Sequence, residues 1–407
     1  MRDAWRSVHR GAVRIDAGTP AERDRAVDAL RALAVLGVVL GHWLVTALVA
    51  DGGTLHADSP LRHLPVLAPI SWAFQTLAVF FLVGGQVASR GLVAARARGM
   101  TYRRWLAARM SRLFKPVAAV IALWSVTAAC LAFADVEFMT VRTLVKLALS
   151  PLWFLLMFAA LTAATPLLNR LTPLWPLAVV LHVDLFRFGL GGPSWLGWVN
   201  VVAGWMVPYT LGAAWSRGEL DRLRAGWALF IGGAVATAVL VAWAGYPASM
   251  VGVPGASVSN LNPPSLAAVT FGLAQCGLAL LSCGALRRAM CRPTAWAAVA
   301  LVNLYAMTIF LWHQTALMVT TAVLLPTGPL PGLHTSPDGW VWIAGRLAWL
   351  PLFALALTLC WTAFRHVEQG VRRRSSASGP PVEFGSSRVV RVHRAPSRDT
   401  AEGGRRA

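Results

Sequence analysis

The feature that most constrains this chain is the recurrence of apolar runs as long as a bilayer is thick. Ten such segments fall at roughly 29–50, 66–89, 113–134, 150–168, 174–190, 197–215, 226–245, 265–286, 295–325 and 340–364. Crossing about 30 Å of hydrocarbon takes about 20 predominantly apolar residues in a helix. Backbone groups in lipid have no water to bond, so an unbroken apolar run of that length satisfies them only as an α-helix. Composition agrees: 57% of the 407 residues are hydrophobic, 13% are charged, and the mean hydropathy is +0.58. The expected fold is all-α, a polytopic membrane bundle of about ten transmembrane helices. The fifth run is the least regular, because His182, Asp184 and Arg187 interrupt it.

The basic residues orient the bundle. Lys and Arg concentrate in loops on the cytoplasmic side of a membrane. With ten spans and the N-terminus inside, 32 of the 37 basic residues fall on that side, and only Arg62, Arg142, Lys146, Arg187 and Arg346 fall at the other. Both termini are therefore expected in the cytoplasm, and the protein in the cell membrane as a multi-pass protein. A net charge of +20 is also a feature of nucleic-acid-binding chains. These arginines instead sit in short clusters between apolar runs, so no nucleic-acid partner is expected. The five cysteines lie in or beside apolar stretches without metal-ligand spacing, and no metal site is expected. Residues 1–23 and 371–407 read as mobile, basic tails flanking a membrane domain at 24–370. No internal repeat is visible.

Chemistry concentrates in the first span, DRAVDALRALAVLGVVLGHWLVTALV from Asp24 to Val49. Arg31 and His42 are eleven residues apart, close to three helical turns, so they share a face with roughly 16 Å of rise between them. Asp28 precedes Arg31 by three and lies on the same stripe. A histidine in a helix bundle can simply bond a neighbouring carbonyl. An acid, a base and a titratable ring aligned along one intramembrane face need more explanation than that, because each is costly in lipid. Ahead of the third span, YRRWLAARMSRLFKP (102–116) carries five basic residues. Topology alone accounts for most of them. Arg109 and Arg112, however, are spaced i, i+3 where the helix enters the membrane, a geometry suited to clamping phosphate. The ninth span contains Asn303, His313 and Gln314, and His313 is a second costly intramembrane histidine. Asp184 and Arg187 read as a neutralising pair. No HExxH, CxxC, phosphate-binding Gly-rich loop or GxSxG elbow is present.

These residues resemble the integral-membrane acyltransferase family 3, bacterial O-acyltransferases. VDALRALAVLGVVLGHW at 27–43 matches the family's opening pattern of an Arg, ten residues and a His, here Arg31 and His42. Arg109, Arg112 and Pro116 match its Arg-x-x-Arg signature. Weaker echoes are FFLVGGQ at 80–86, PLWFLLMF at 151–158, YAMTIFLWHQTAL at 305–317 and FRHVE at 364–368. The resemblance departs at Gly84, Gly85 and Gln86, where the family commonly has Ser-Gly-Phe. Family members sometimes carry an esterase-like C-terminal domain, and a stand-alone enzyme is expected here.

The resemblance implies a membrane acyltransferase with no permanently bound cofactor. Acyl-CoA is the co-substrate, its phosphates held by Arg109 and Arg112 with Arg31 beside them. His42 acts as general base, or carries the acyl group, for a hydroxyl of a glycan, lipid or secondary metabolite. Asp28 and His313 are accessory candidates. The rival from another class is a proton-coupled secondary transporter using the same His–Arg pair.

Overall fold

The computed structural model describes residues 2–256 and 258–377. Among these the chain is mostly helical, with almost no sheet. Counting helices of more than eight residues, the order begins α1 (Arg2–Ala17), α2 (Arg25–Val45), α3 (Leu77–Ala97), α4 (Tyr102–Phe133), α5 (Phe138–Leu149) and α6 (Leu152–Ala163). It continues α7 (Leu174–Asp184), α8 (Val199–Arg217), α9 (Arg222–Ala242) and α10 (Leu266–Ala289), then α11 (Pro293–Leu304), α12 (Ala306–Leu324) and α13 (Trp340–Ala377). A hairpin, β1 (Ala47–Asp51) with β2 (Thr54–Asp58), interrupts the series.

Among the described residues eight helical stretches are long and apolar enough to cross a membrane, including Arg25–Val45, Tyr102–Phe133, Leu266–Ala289 and Ala306–Thr327. The polytopic helical bundle is therefore present, and the ten expected runs are largely helical, though the first leaves its helix after Val45 and ends in β1, and two fall short of a full apolar span. One is α7, which ends after 11 residues in the π-helical turn Leu185–Gly189. The other is α8, which lies inside the protein: most residues from Ala203 to Ala214 are buried. A helix enclosed by other helices has less need of an apolar surface than one facing lipid. The expected ninth span is also two helices, α11 and α12, separated at Tyr305.

The expected N-terminal tail falls partly in a helix. Residues 2–17 form α1, which packs on α11: Ile15 lies against a cluster of Ala29, Met290 and Trp296, and Trp296 Nε1 donates to Thr19 at 2.8 Å. An isolated polar helix this short is marginal, so tertiary packing supplies what its sequence does not advertise. At the other end α13 runs on to Ala377, and residues 378–407 of the expected C-terminal tail lie outside the described residues.

Close approaches fix how the site-bearing helices sit. A side chain at Gly85 of α3 would collide with the Tyr209 carbonyl, and one at Gly212 of α8 with the Leu82 carbonyl, so these two helices cross at backbone contact. On α2, a Cβ at Gly41 would lie 3.2 Å from Phe74, which lets the 72–75 turn rest against the helix one residue before His42. Just beyond His42, α2 ends at Thr46 and the chain enters the hairpin. Gly52 and Gly53 hold φ of +55° and +81°, the turn a tight two-residue hairpin requires, and the register pairs Ala47 with Asp58. A large aromatic and aliphatic core, including Phe81, Phe154, Trp205, Phe310 and Trp312, unites α2, α3, α4, α6, α8, α12 and α13.

Candidate active site

Two cavities open onto the same face of α2. The first surrounds Arg31. Asp24 starts α2 as its N-cap, accepting from Ala26, and one turn later Asp28 faces Arg31. Asp28 Oδ1 accepts from Arg31 Nη2 at 3.1 Å while its Oδ2 accepts from Arg23 at 2.5 Å. Asn303, at the end of α11, closes the cluster: its Oδ1 accepts from Arg31 Nε at 2.5 Å and its Nδ2 donates to the Asp28 carbonyl at 2.7 Å. Arg31 is thus held at a fixed angle by a carboxylate and an amide.

Arg109 and Arg112 join Arg31 in lining this cavity of about 260 Å³, whose inner wall includes Phe80, Phe154 and Phe310. The Arg109 guanidinium lies 4.7 Å from the Trp105 ring centre and donates to the Val87 carbonyl at 3.2 Å. Gly91 gives it room, because a Cβ there would strike the guanidinium. Arg112 is exposed. Three guanidiniums against one carboxylate, with Asp28 already shared between two arginines, leave the cavity positive and rich in fork-shaped donors. Phosphate and carboxylate are the groups such donors bind best.

The second cavity, about 420 Å³, contains His42 and Gln314, with polar groups including Asp58, Ser59, Gln75 and Lys146. Gln314 contacts His42 Nδ1 through its amide at 3.0 Å. His313 lies beside them, its ring centre 5.0 Å from that of His42 and tilted by 44°. Helix α12 is pinned to α2 by Trp43 Nε1, which donates to the His313 carbonyl at 2.9 Å. His313 Nδ1 is occupied by the Phe310 carbonyl at 2.6 Å. A continuous line of contacts therefore runs from Phe310, in the wall of the first cavity, through His313 to His42 in the second. Asp58, carried in by the hairpin, bonds His63 at 2.8 Å and the Ser59 amide at 2.8 Å. Among the described residues no three His, Cys, Asp or Glu side chains gather as metal ligands do.

A family model described as an acyltransferase domain matches residues 24–365, from the N-cap of α2 into α13. The chain belongs to acyltransferase family 3. No curated protein and no solved structure matches it. As a membrane acyltransferase, the protein gathers each residue that the sequence singled out for the site. Arg31, Arg109 and Arg112 line one cavity, with Asp28 bonded to Arg31, and His42 lines the other, with the His313 ring against it. Asp184 stands apart. It accepts from Asn200, Tyr246 and the Leu266 amide, with Arg187 at 3.8 Å, and so ties α7, α8 and the start of α10 together.

Sequence reasoning gave no role to Asn303 and Gln314. Each is a polar side chain in an apolar run, and the cost of burying it was the available signal. Asp58 and Lys146 were not legible as cavity residues: Asp58 sits in a hairpin with no helical periodicity, and Lys146, on α5, reads from the sequence only as a basic residue of the outer side.

Proposed function

We propose that this acyltransferase moves a short acyl group, such as acetyl, from acyl-CoA to a hydroxyl of a glycan, lipid or small-molecule acceptor in the cell membrane. What carries the reading is the pair of cavities on one helix face: a cluster of three arginines at one end and, at the other, an imidazole in a largely apolar pocket that carries a few polar side chains. Acyl-CoA enters from the cytoplasm at the arginine cavity, where Arg109, Arg112 and Arg31 hold its phosphates. The acceptor occupies the His42 cavity, whose Ser59, Gln75 and Lys146 suit a molecule with several hydroxyls.

In the reaction, His42 takes the hydroxyl proton as the acceptor oxygen attacks the thioester carbonyl carbon. The tetrahedral intermediate then collapses: the carbon–sulfur bond breaks, the thiolate leaves with the proton from the imidazolium, and an ester remains on the acceptor. Holding both reactants against one rigid helix supplies much of the rate.

The test is transfer of label from radiolabelled acetyl-CoA in membranes containing the protein. His42→Ala is expected to abolish transfer while the protein still inserts; turnover retained in the purified variant would overturn the reading. Arg109→Ala and Arg112→Ala should instead raise the KM for acetyl-CoA, and an unchanged KM would remove them from the donor site. The break at Tyr305 between α11 and α12 is a feature that transporters share. Substrate flux across the membrane with no label on any acceptor would identify a transporter.

A further inference from the structure

We propose that Gln314 is the positioning residue of His42, its amide carbonyl holding the imidazole as the Nδ1–H tautomer so that Nε2 is the bare nitrogen available to substrate. The proposal rests on the reading of His42 as general base.

Among the described residues the Gln314 amide is the one hydrogen-bonding partner of the His42 ring, at 3.0 Å from Nδ1. With Nδ1 taken, Nε2 is the nitrogen left to meet an acceptor hydroxyl. A neutral imidazole carries one proton, and a nitrogen that already bears it cannot remove another. For Nε2 to act as base, the proton must sit on Nδ1, and whatever faces Nδ1 must accept it. Gln314 is built to do this, because its amide presents oxygen or nitrogen to the same point with the same shape.

Hydrogen-bond accounting favours oxygen. With the amide nitrogen toward His42, two buried acceptors lack a donor, Gln314 Oε1 and His313 Nε2. Leaving a buried acceptor unpaired costs about 1–3 kcal/mol. Turned over, Oε1 receives the Nδ1 proton and is no longer an unpaired acceptor. Among the described residues no other group bonds the His42 ring. His313 Nδ1 is committed to the Phe310 carbonyl, and the carboxylate of the cavity, Asp58, is committed to His63 and the Ser59 amide. Gln314 itself is fixed: 1% exposed, on the helix that Trp43 ties to α2. The amide thus fills the place that a carboxylate or asparagine holds behind the histidine of a hydrolase triad.

The tautomer can be read without substrate, by solid-state 15N NMR of full-length, 15N-histidine-labelled protein in lipid bilayers, with His42 assigned by subtracting the His42→Asn spectrum. The expected result is a protonated Nδ1 and a bare Nε2 in the native protein. Gln314→Met, which keeps length and removes both polar atoms, should give a mixture of tautomers, whereas Gln314→Glu, whose carboxylate only accepts, should keep the native one. In the acetyl-CoA assay Gln314→Met should lower kcat about 10- to 100-fold, the usual effect of losing an orienting partner. The KM for acetyl-CoA should stay within about twofold, because the arginine cavity is untouched. A native Nε2–H tautomer, or a tautomer unchanged in Gln314→Met, would overturn the proposal. Failure of the parent reading shows separately, as label transfer that survives His42→Ala.

Discussion

Arg31 owes its direction to Asp28 and Asn303, and only the first of these could be expected from spacing along α2. Asn303 is 272 residues away and reaches Arg31 because α11 ends beside α2. Hydrogen bonds to charged groups contribute about 1.5–3 kcal/mol, and at the Arg31 guanidinium, 31% exposed, the lower end applies. Asn303→Ala is therefore expected to raise the KM for acetyl-CoA about tenfold with little change in kcat. An unchanged KM in a folded variant would show that Arg31 needs no such support. His42 was legible at once as a titratable ring in the middle of an apolar helix. Its neighbours His313 and Gln314 were legible as costly residues, but their placement against His42 was not, since periodicity within one helix says nothing about which helix lies next to it.

At the scale of elements, α2 is fastened at its start. Asp24 caps it and also accepts from Arg287 of α10 at 2.8 Å. Burial pushes the Asp24 carboxyl up, but the Arg287 hydrogen bond and charge, with the backbone amides of Ala26 and Val27, outweigh it and hold the carboxyl below its ordinary value. A carboxylate so held adds stability at neutral pH, and that stability disappears as pH falls through the ordinary carboxylate range toward the lowered value. Asp24→Ala should cost about 0.5–2 kcal/mol at pH 7, with a smaller penalty in acid, measured by thermal unfolding in detergent across pH. An equal penalty at every pH would contradict the ion-pair account. The crossing of α3 and α8 gives a second test. Gly212→Ala forces a methyl into the Leu82 carbonyl and should destabilise by about 1–3 kcal/mol. Gly232→Ala on α9 meets open space and should be neutral or stabilising. Similar melting points for both variants would mean the crossing tolerates separation.

For the whole molecule, the proposed orientation puts the arginine cavity in the cytoplasm and the β1–β2 hairpin outside. In a chain whose other cysteines are alanine, Cys291, exposed between α10 and α11, should react with a membrane-impermeant maleimide only after the membrane is opened. A cysteine at Thr54, in the hairpin, should react in intact cells; the opposite pattern would invert the topology. Hydropathy and charge, read along the sequence, were enough to establish a helical membrane bundle and the residues of its two motif clusters, because the cost of polar groups in lipid is local and large. They did not establish which runs are true spans: α7 is cut short and α8 is enclosed by its neighbours, which depends on packing rather than apolarity. Nor did they reveal α1, the hairpin or the break at Tyr305. The tertiary structure alone brought Asn303 to Arg31, His313 and Gln314 to His42, and Asp58 to the rim of the same cavity. Contacts between distant segments are set by side-chain packing across helix faces, and no single stretch of sequence encodes its partner.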